Sequence, residues 1–257
     1  MAERAFASPA DVADLAATEG WRIAVNGEGD AVVFERWREH LDWLAMRAVW
    51  ASPRRIPRLV ADARAVAVEH GFGALMSPLI PAEFAKPYVR AGMRVAARIL
   101  MLRRELSYAD IMGLPPVAPE GTIMGQGGRE DIGEALEIDR ECFEPLWAYD
   151  RGLFERYLGN DRLVTVRDGS SGRLIGFALT GVAGEEGSIG RLAVEAPRRR
   201  TGVGTALLAE ALRWLAWSGA SYATLSTQID NRAAQRLYAA SGFRVLRGSL
   251  VGLTIGT

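Results

Sequence analysis

The stretch RLAVEAPRRRTGVGTALLAEALRWL (Arg191 to Leu215) leaves the chain few ways to fold. It reads as a strand, a tight turn and an amphipathic helix, with Val203, Leu207, Leu208, Ala211, Leu212 and Leu215 on one helical face. Gly202 and Gly204 stand where that helix begins. Glycine there lets successive backbone N–H groups turn inward and lets a ligand approach with no Cβ in the way. Free donors at the positive end of a helix dipole make an anion site, and the arginines at 198–200 add charge beside it. The same turn also serves tight helix–strand packing, so the rest of the chain must decide between the two.

Around this stretch, strands and helices alternate, which argues an α/β layer structure. Strands are expected at 21–26, 31–37, 41–50, 73–80, 94–106, 122–125, 188–194, 223–228 and 243–251, with a hairpin over RLVTVRDGSSGRLIGFALTG (Arg162 to Gly181). Helices are expected at 56–70, 81–91, 131–142, 151–158, 202–217 and 232–240. The Pro- and Gly-rich MGLPPVAPEGT (Met112 to Thr122) can continue neither a helix nor a central strand. It divides the chain into domains at 1–111 and 121–257, with a linker at 112–120. YVRAGMRV (Tyr88 to Val95) and YAASGFRV (Tyr238 to Val245) share Tyr, Gly, Arg and Val at one constant offset. Each half also runs three strands, helix, strand, helix, strand, so a duplicated fold is expected.

Composition narrows the function. Lys plus Arg equals Asp plus Glu at 31 each, so no net field favours nucleic acid or an anionic membrane, and neither is expected as a partner. The single cysteine, Cys142, excludes an intrachain disulfide framework and a multi-cysteine metal site; no metal is expected. No run approaches the roughly 18 apolar residues that span a bilayer, and the start lacks a signal peptide's apolar core. A soluble, cytoplasmic protein is the expectation.

Two motifs carry a resemblance. RRTGVG, through Arg199, Gly202 and Gly204, matches the signature [Q/R]-x-x-G-x-[G/A] of the GCN5-related N-acetyltransferases (GNAT). NRAAQRLYAASGF (Asn231 to Phe243) matches that family's second signature, an Asn followed by A-x-x-L-Y and then G-F. The resemblance covers about 121–257. It implies a mixed, mostly antiparallel central sheet with flanking helices, and with the repeat it makes two tandem domains of this kind, the first truncated. It also implies an acyl-CoA-dependent enzyme with acetyl-CoA as co-substrate. The pantetheine arm would then lie along Leu192, Ala193 and Val194, and the pyrophosphate on Arg199, Arg200, Thr201, Gly202, Val203, Gly204 and Thr205. Asn231 matches the residue that contacts the cofactor arm, and Tyr238 the general acid that protonates the departing thiolate. Tyrosine suits that role because its ordinary pKa near ~10 is close to that of a thiol.

The general base is less legible. Ribosomal-protein alanine acetyltransferases of this family carry a glutamate five residues before the Asn, where this chain has Ser226. Glu185 and Glu186 are the candidates in its place, against the reading of a solvated turn, and a water chain or a substrate amine that arrives neutral would also serve. Trp147, Tyr149 and Asp150 on the first two helices, with Thr227 and Gln228, are candidates for the acceptor pocket. Cys142, with both histidines (His40 and His70) in the other half, is expected to pack rather than attack.

The first half has no glycine in ASPRRIPRL (Ala51 to Leu59), its counterpart of the cofactor turn, and Pro57 removes a backbone donor there. IPAEFAKPY offers no equivalent of Asn231. This half is expected to bind no CoA and to serve as a structural partner, an acceptor wall or a homodimer surface. The expected reaction is direct acetyl transfer from acetyl-CoA to the primary amine of a small molecule, an amino sugar or amino-acid derivative. An N-terminal acetyltransferase for proteins or peptides and a non-catalytic acetyl-CoA sensor are the alternatives.

Overall fold

The structure is a computed structural model and describes residues 22–25, 30–107 and 118–257. In chain order its elements are β1 (Arg22–Val25), β2 (Ala31–Arg36), β3 (Trp43–Trp50), α1 (Ile56–Glu69), β4 (Ala74–Met76), β5 (Ile80–Pro81), α2 (Lys86–Arg90) and β6 (Arg94–Glu105). There follow β7 (Thr122–Gln126), α3 (Ile132–Cys142), α4 (Arg151–Leu158), β8 (Arg162–Asp168), β9 (Leu174–Ala183) and β10 (Glu186–Val194). The chain ends with α5 (Val203–Trp217), β11 (Tyr222–Gln228), α6 (Arg232–Ala240), β12 (Arg244–Val245) and β13 (Leu250–Gly256). No helix among the described residues is long and apolar enough to cross a membrane.

These elements form two compact units, residues 1–99 with 247–257, and residues 100–246. In the first, β1, β2 and β3 make an antiparallel meander and β4 runs parallel to β3. The β13 strand joins this unit, antiparallel to β4 and to the first half of β6. Ile56, Leu59, Val60, Ala63 and Ala67 of α1 are buried in a core with Met46, Leu75 and Leu253.

The second unit repeats the pattern. Here β7, β8, β9 and β10 are antiparallel neighbours, and β11 runs parallel to β10. One face of the sheet is covered by α5, whose Val203 and Leu207 pack on Val164, Val166 and Ile175. The other face carries α3 and α4, which bury Ile132, Leu136 and Phe154 against Phe177 and Leu179. The repeat extends to an irregularity: the β2–β3 ladder slips at Val33/Phe34, leaving Arg47 unopposed, and the β9–β10 ladder slips at Ile189/Arg191, leaving Gly190 unopposed.

Four expectations need correction. The units divide within β6 rather than at the 112–120 linker, of which 112–117 lie outside the described residues. The single strand expected at 243–251 is two strands: β12 pairs with Leu102 and Arg103, whereas β13 pairs within the first unit. Gly248, at φ 85°, lies in the segment between them, a conformation glycine adopts without strain. The helix expected at 81–91 is a 3₁₀ turn (Ala82–Phe84) followed by the five-residue α2. The strand expected at 73–80 survives as β4 and β5, with Pro78 between them, which has no N–H to give a ladder.

Gly176 fixes how closely β9 lies under α5. A Cβ there would stand 3.0 Å from the Ala193 carbonyl oxygen and 3.2 Å from both Leu207 and Val203. Backbone cannot yield as a side-chain tip can, so Gly176→Ala is expected to cost about 1–3 kcal/mol of stability. Chemical denaturation of the two proteins measures it, as a lower midpoint with an unchanged slope.

Candidate active site

The site grows from the point where two parallel strands part. Pairing of β10 with β11 runs from Glu186 opposite Tyr222 to Ile189 opposite Leu225 and stops there. On its other edge β10 stays bonded to β9 as far as Val194 opposite Gly176, and the Glu195 N–H continues the ladder to the Ile175 carbonyl at 3.1 Å. An antiparallel ladder alternates its bonding residues. Ala193 therefore turns its N–H and C=O toward β9, while Leu192 and Val194 turn theirs toward the gap. The Val194 carbonyl bears this out, accepting from Arg199 Nε at 3.1 Å and Cys142 Sγ at 3.3 Å. Among the described residues, the Leu192 N–H and C=O and the Val194 N–H are left as an unpaired strand edge.

The turn begins as that edge ends. A 3₁₀ turn (Ala196–Arg198) leads to Arg200 at φ 65° and Gly202 at φ 91°, and α5 follows. Only glycine takes the left-handed conformation at position 202 without strain. The Ala206 N–H bonds the Gly202 carbonyl at 2.9 Å, so the N–H groups of Val203, Gly204 and Thr205 precede the first intrahelical bond. A Cβ on Gly204 would already touch Leu237 at 3.6 Å and Val194 at 3.7 Å.

The three arginines have separate tasks. Arg198 pairs with Asp168, which also accepts from the Ser170 hydroxyl at 2.6 Å and the Ser171 N–H at 2.9 Å. These bonds, that of Ser170 foremost, hold the Asp168 carboxyl well below the usual carboxylate range. Arg199 folds back onto Val194 and onto Cys142 Sγ at 3.4 Å, so it braces the strand end instead of projecting into the turn. Burial pushes the Cys142 thiol up, as expected of a packing residue. Arg200 forms no ion pair among the described residues and is exposed beside Thr201, whose hydroxyl donates to the Arg198 carbonyl at 2.7 Å.

Across the gap, Asn231 caps α6, its Oδ1 accepting from the Ala234 N–H at 3.1 Å. Tyr238 is buried one face of that helix further on, edge-on to Phe243 at 6.0 Å, in a cluster with Ile189 and Leu225 where the strands part. Burial pushes its phenol up to about 12, against a smaller pull from Arg191, so it is a protonated donor at neutral pH. On β11, Ser226 is exposed, Thr227 buried and Gln228 half-buried.

Behind β10 lies a buried ion pair. Arg191 binds Asp139 through Nε at 2.6 Å and a second nitrogen at 2.8 Å, and donates to the Trp147 carbonyl at 2.8 Å. Its guanidinium carbon is 3.4 Å from the ring centre of Phe143 and 3.9 Å from that of Tyr149. The Tyr149 N–H in turn bonds Asp139 at 2.7 Å.

This accounts differently for several candidates. Tyr149 is buried, stacked on Tyr157 at 5.3 Å with its hydroxyl donating to the Gly190 carbonyl at 3.4 Å, and Asp150 caps α4 by accepting from the Leu153 N–H at 2.8 Å. Trp147 is half-buried, held by its carbonyl. Glu185 and Glu186 do not reach the gap: Glu186 is six residues back from Leu192, about 20 Å along an extended strand. Its carboxylate accepts from the Thr224 hydroxyl at 2.8 Å. One residue that the sequence did not single out, Asp161, places its carboxylate over Gly181 and Gly190. Only the strand pairing brings those two glycines together. Among the described residues no group of His, Cys, Asp and Glu side chains is placed to hold a metal ion.

Comparison with known proteins gives one family: residues 132–243 match the acetyltransferase (GNAT) family. No curated protein matches the chain in sequence. Among solved structures, a tandem GNAT protein from the clavulanic acid biosynthesis pathway superposes with a TM-score of 0.70 at 18% identity, covering 90% of this chain and 81% of that one. A GCN5-related N-acetyltransferase from Kribbella flavida gives 0.64 at 18% identity, covering 97% and 96%. The glucosamine N-acetyltransferase region of a fungal multi-domain β-N-acetylglucosaminidase gives 0.65 at 15% identity, covering 90% of this chain and 32% of that one.

The ion pair is open to a direct test. Asp139→Ala leaves Arg191 buried without a counter-ion and is expected to cost about 3–5 kcal/mol. Urea denaturation should show that loss; a midpoint equal to wild type would mean that the guanidinium is solvated.

Proposed function

Because residues 132–243 make this chain a member of the GNAT superfamily, an acyl-CoA-dependent acetyltransferase, we propose that it moves an acetyl group from acetyl-CoA to the primary amine of a small molecule, an amino sugar or amino-acid derivative. The observation that carries this reading is the unpaired edge at Leu192 and Val194, which runs directly into the Gly202 turn. A pantetheine arm has amide groups spaced to pair with such an edge, as an added strand would. The N–H groups of Val203, Gly204 and Thr205, with the Arg200 side chain, suit the pyrophosphate that follows it.

Acetyl-CoA supplies the activated acyl group as a thioester, so the protein's work is positioning and charge. The Leu192 N–H donates to the carbonyl oxygen as negative charge develops there. Tyr238 gives its proton to the departing sulfur, although burial raises its phenol to about 12 and so makes it a weaker acid than an exposed tyrosine. The small-amine class is supported by the glucosamine acetyltransferase region among the similar structures.

We assign no CoA site to the first unit. Its bulge carries the side chain of Arg47, ion-paired to Glu35 at 3.0 Å, where the second unit has bare Gly190. Pro57 stands in the first turn of α1, and Arg55 ahead of that helix is drawn to the buried Asp30 at 2.7 Å.

Two substitutions test the reading, with acetyl-CoA affinity read by calorimetry and thiol release read against a panel of amines. Gly202→Asp places a carboxylate against the phosphate and is expected to weaken acetyl-CoA binding by about 100-fold, some 2.7 kcal/mol. Unchanged affinity removes the pyrophosphate assignment. Tyr238→Phe should lower kcat by about 100-fold while leaving that affinity unchanged. Full activity would mean that another group protonates the sulfur.

A further inference from the structure

Asp161 follows α4, with its N–H bonded to the Tyr157 carbonyl at 2.7 Å, so its backbone is tied to the helix end. Its carboxylate lies against the β9–β10 sheet over two glycines. A Cβ on Gly181 would overlap Oδ1, and one on Gly190 would stand 3.9 Å from Oδ2. Gly190 is the unopposed bulge residue, two positions ahead of Leu192 on β10. The carboxylate thus fills the space that a side chain on Gly181 would take and lies in van der Waals contact with the bulge at Gly190, which is about 7 Å along the strand from Leu192. That span admits the reacting acetyl group and the incoming nitrogen.

The carboxylate is half-buried, and among the described residues no side chain pairs with it. Arg191 is committed to Asp139, and Arg162, the next residue in sequence, to Glu210 at 3.0 Å. Burial also raises the Asp161 carboxyl above the usual range, which makes the carboxylate a better proton acceptor. The two positions that the sequence offered do not supply a base here: Ser226 is neutral, and Glu186 lies at the far end of β10.

We propose that Asp161 is the general base of the transfer, taking the proton from the acceptor amine directly or through one water. This role rests on the transferase reading above. The acceptor's N–H bond breaks as an O–H bond forms on the Asp161 carboxylate. The nitrogen lone pair bonds the acetyl carbon, the C–S bond breaks, and the sulfur takes the Tyr238 proton. Asp161 then loses its proton to solvent and Tyr238 regains one.

The experiment compares wild type, Asp161→Asn and Asp161→Ala by thiol release with glucosamine, glycine, spermidine and an alanyl peptide as acceptors. Acetyl-CoA affinity and Tm are measured on the same proteins. Both variants are expected to lose about 100-fold or more in kcat on whichever amine the wild type uses. Acetyl-CoA affinity and Tm should both stay near wild type, because the half-buried carboxylate has no side-chain partner among the described residues to lose. Added formate should restore part of the Asp161→Ala turnover. Unchanged kcat in either variant overturns the role, as does lost turnover with a lowered Tm and no rescue by formate, which marks a structural residue. A wild type that binds acetyl-CoA yet acetylates none of the four amines overturns the transferase reading, and this role with it.

Discussion

The second unit is organised around one buried ion pair, Arg191 with Asp139. Taking both groups out of water costs several kcal/mol each, and a bidentate contact alone offsets that only in good geometry. Here the guanidinium also meets the Trp147 carbonyl and the faces of Phe143 and Tyr149, and Asp139 receives the Tyr149 N–H as well. Because Arg191 directly follows the bulge, the pair fastens β10 to α3 and to the segment before α4 at the place where the sheet must open. What the pair contributes is therefore a fixed geometry more than net stability.

That geometry is converted to chemistry by two neighbours. Leu192 and Val194 keep backbone groups free because pairing with β11 has ended, and Val194 leads through Glu195 into the turn before α5. The turn is held from outside by Arg198 on Asp168 and from beneath by Arg199 on Val194. Two of the three arginines that mark the motif in sequence thus act as braces, and backbone donors with Arg200 remain to face a ligand. A ligand arriving there meets groups that need no rearrangement, which lowers the entropy cost of binding.

Much of this was legible in the sequence. The 3.6-residue periodicity of α5, the Gly202 turn and the Tyr88/Tyr238 repeat each predict what the structure contains, because each depends on contacts close in sequence. The errors come from long-range pairing. That 243–251 is two strands depends on β13 finding β4 and the first half of β6, which no local pattern encodes. Tyr149 and Asp150 read as pocket residues because their polar groups look free in sequence, yet one packs beside Arg191 and the other caps a helix. Asp161 was invisible for the converse reason: an aspartate after a Gly-Asn pair reads as a turn residue until β9 and β10 bring Gly181 and Gly190 beneath it.

The most direct measurement is amide NMR of the whole protein titrated with acetyl-CoA. A cofactor laid along the open strand edge and its turn should shift and protect the N–H signals of Leu192, Val194, Val203, Gly204 and Thr205. Signals from the corresponding segment of the first unit, 51–59, should stay unmoved. Shifts confined to 51–59, or none along 192–205 at saturating acetyl-CoA, would contradict a site built on the parted strands.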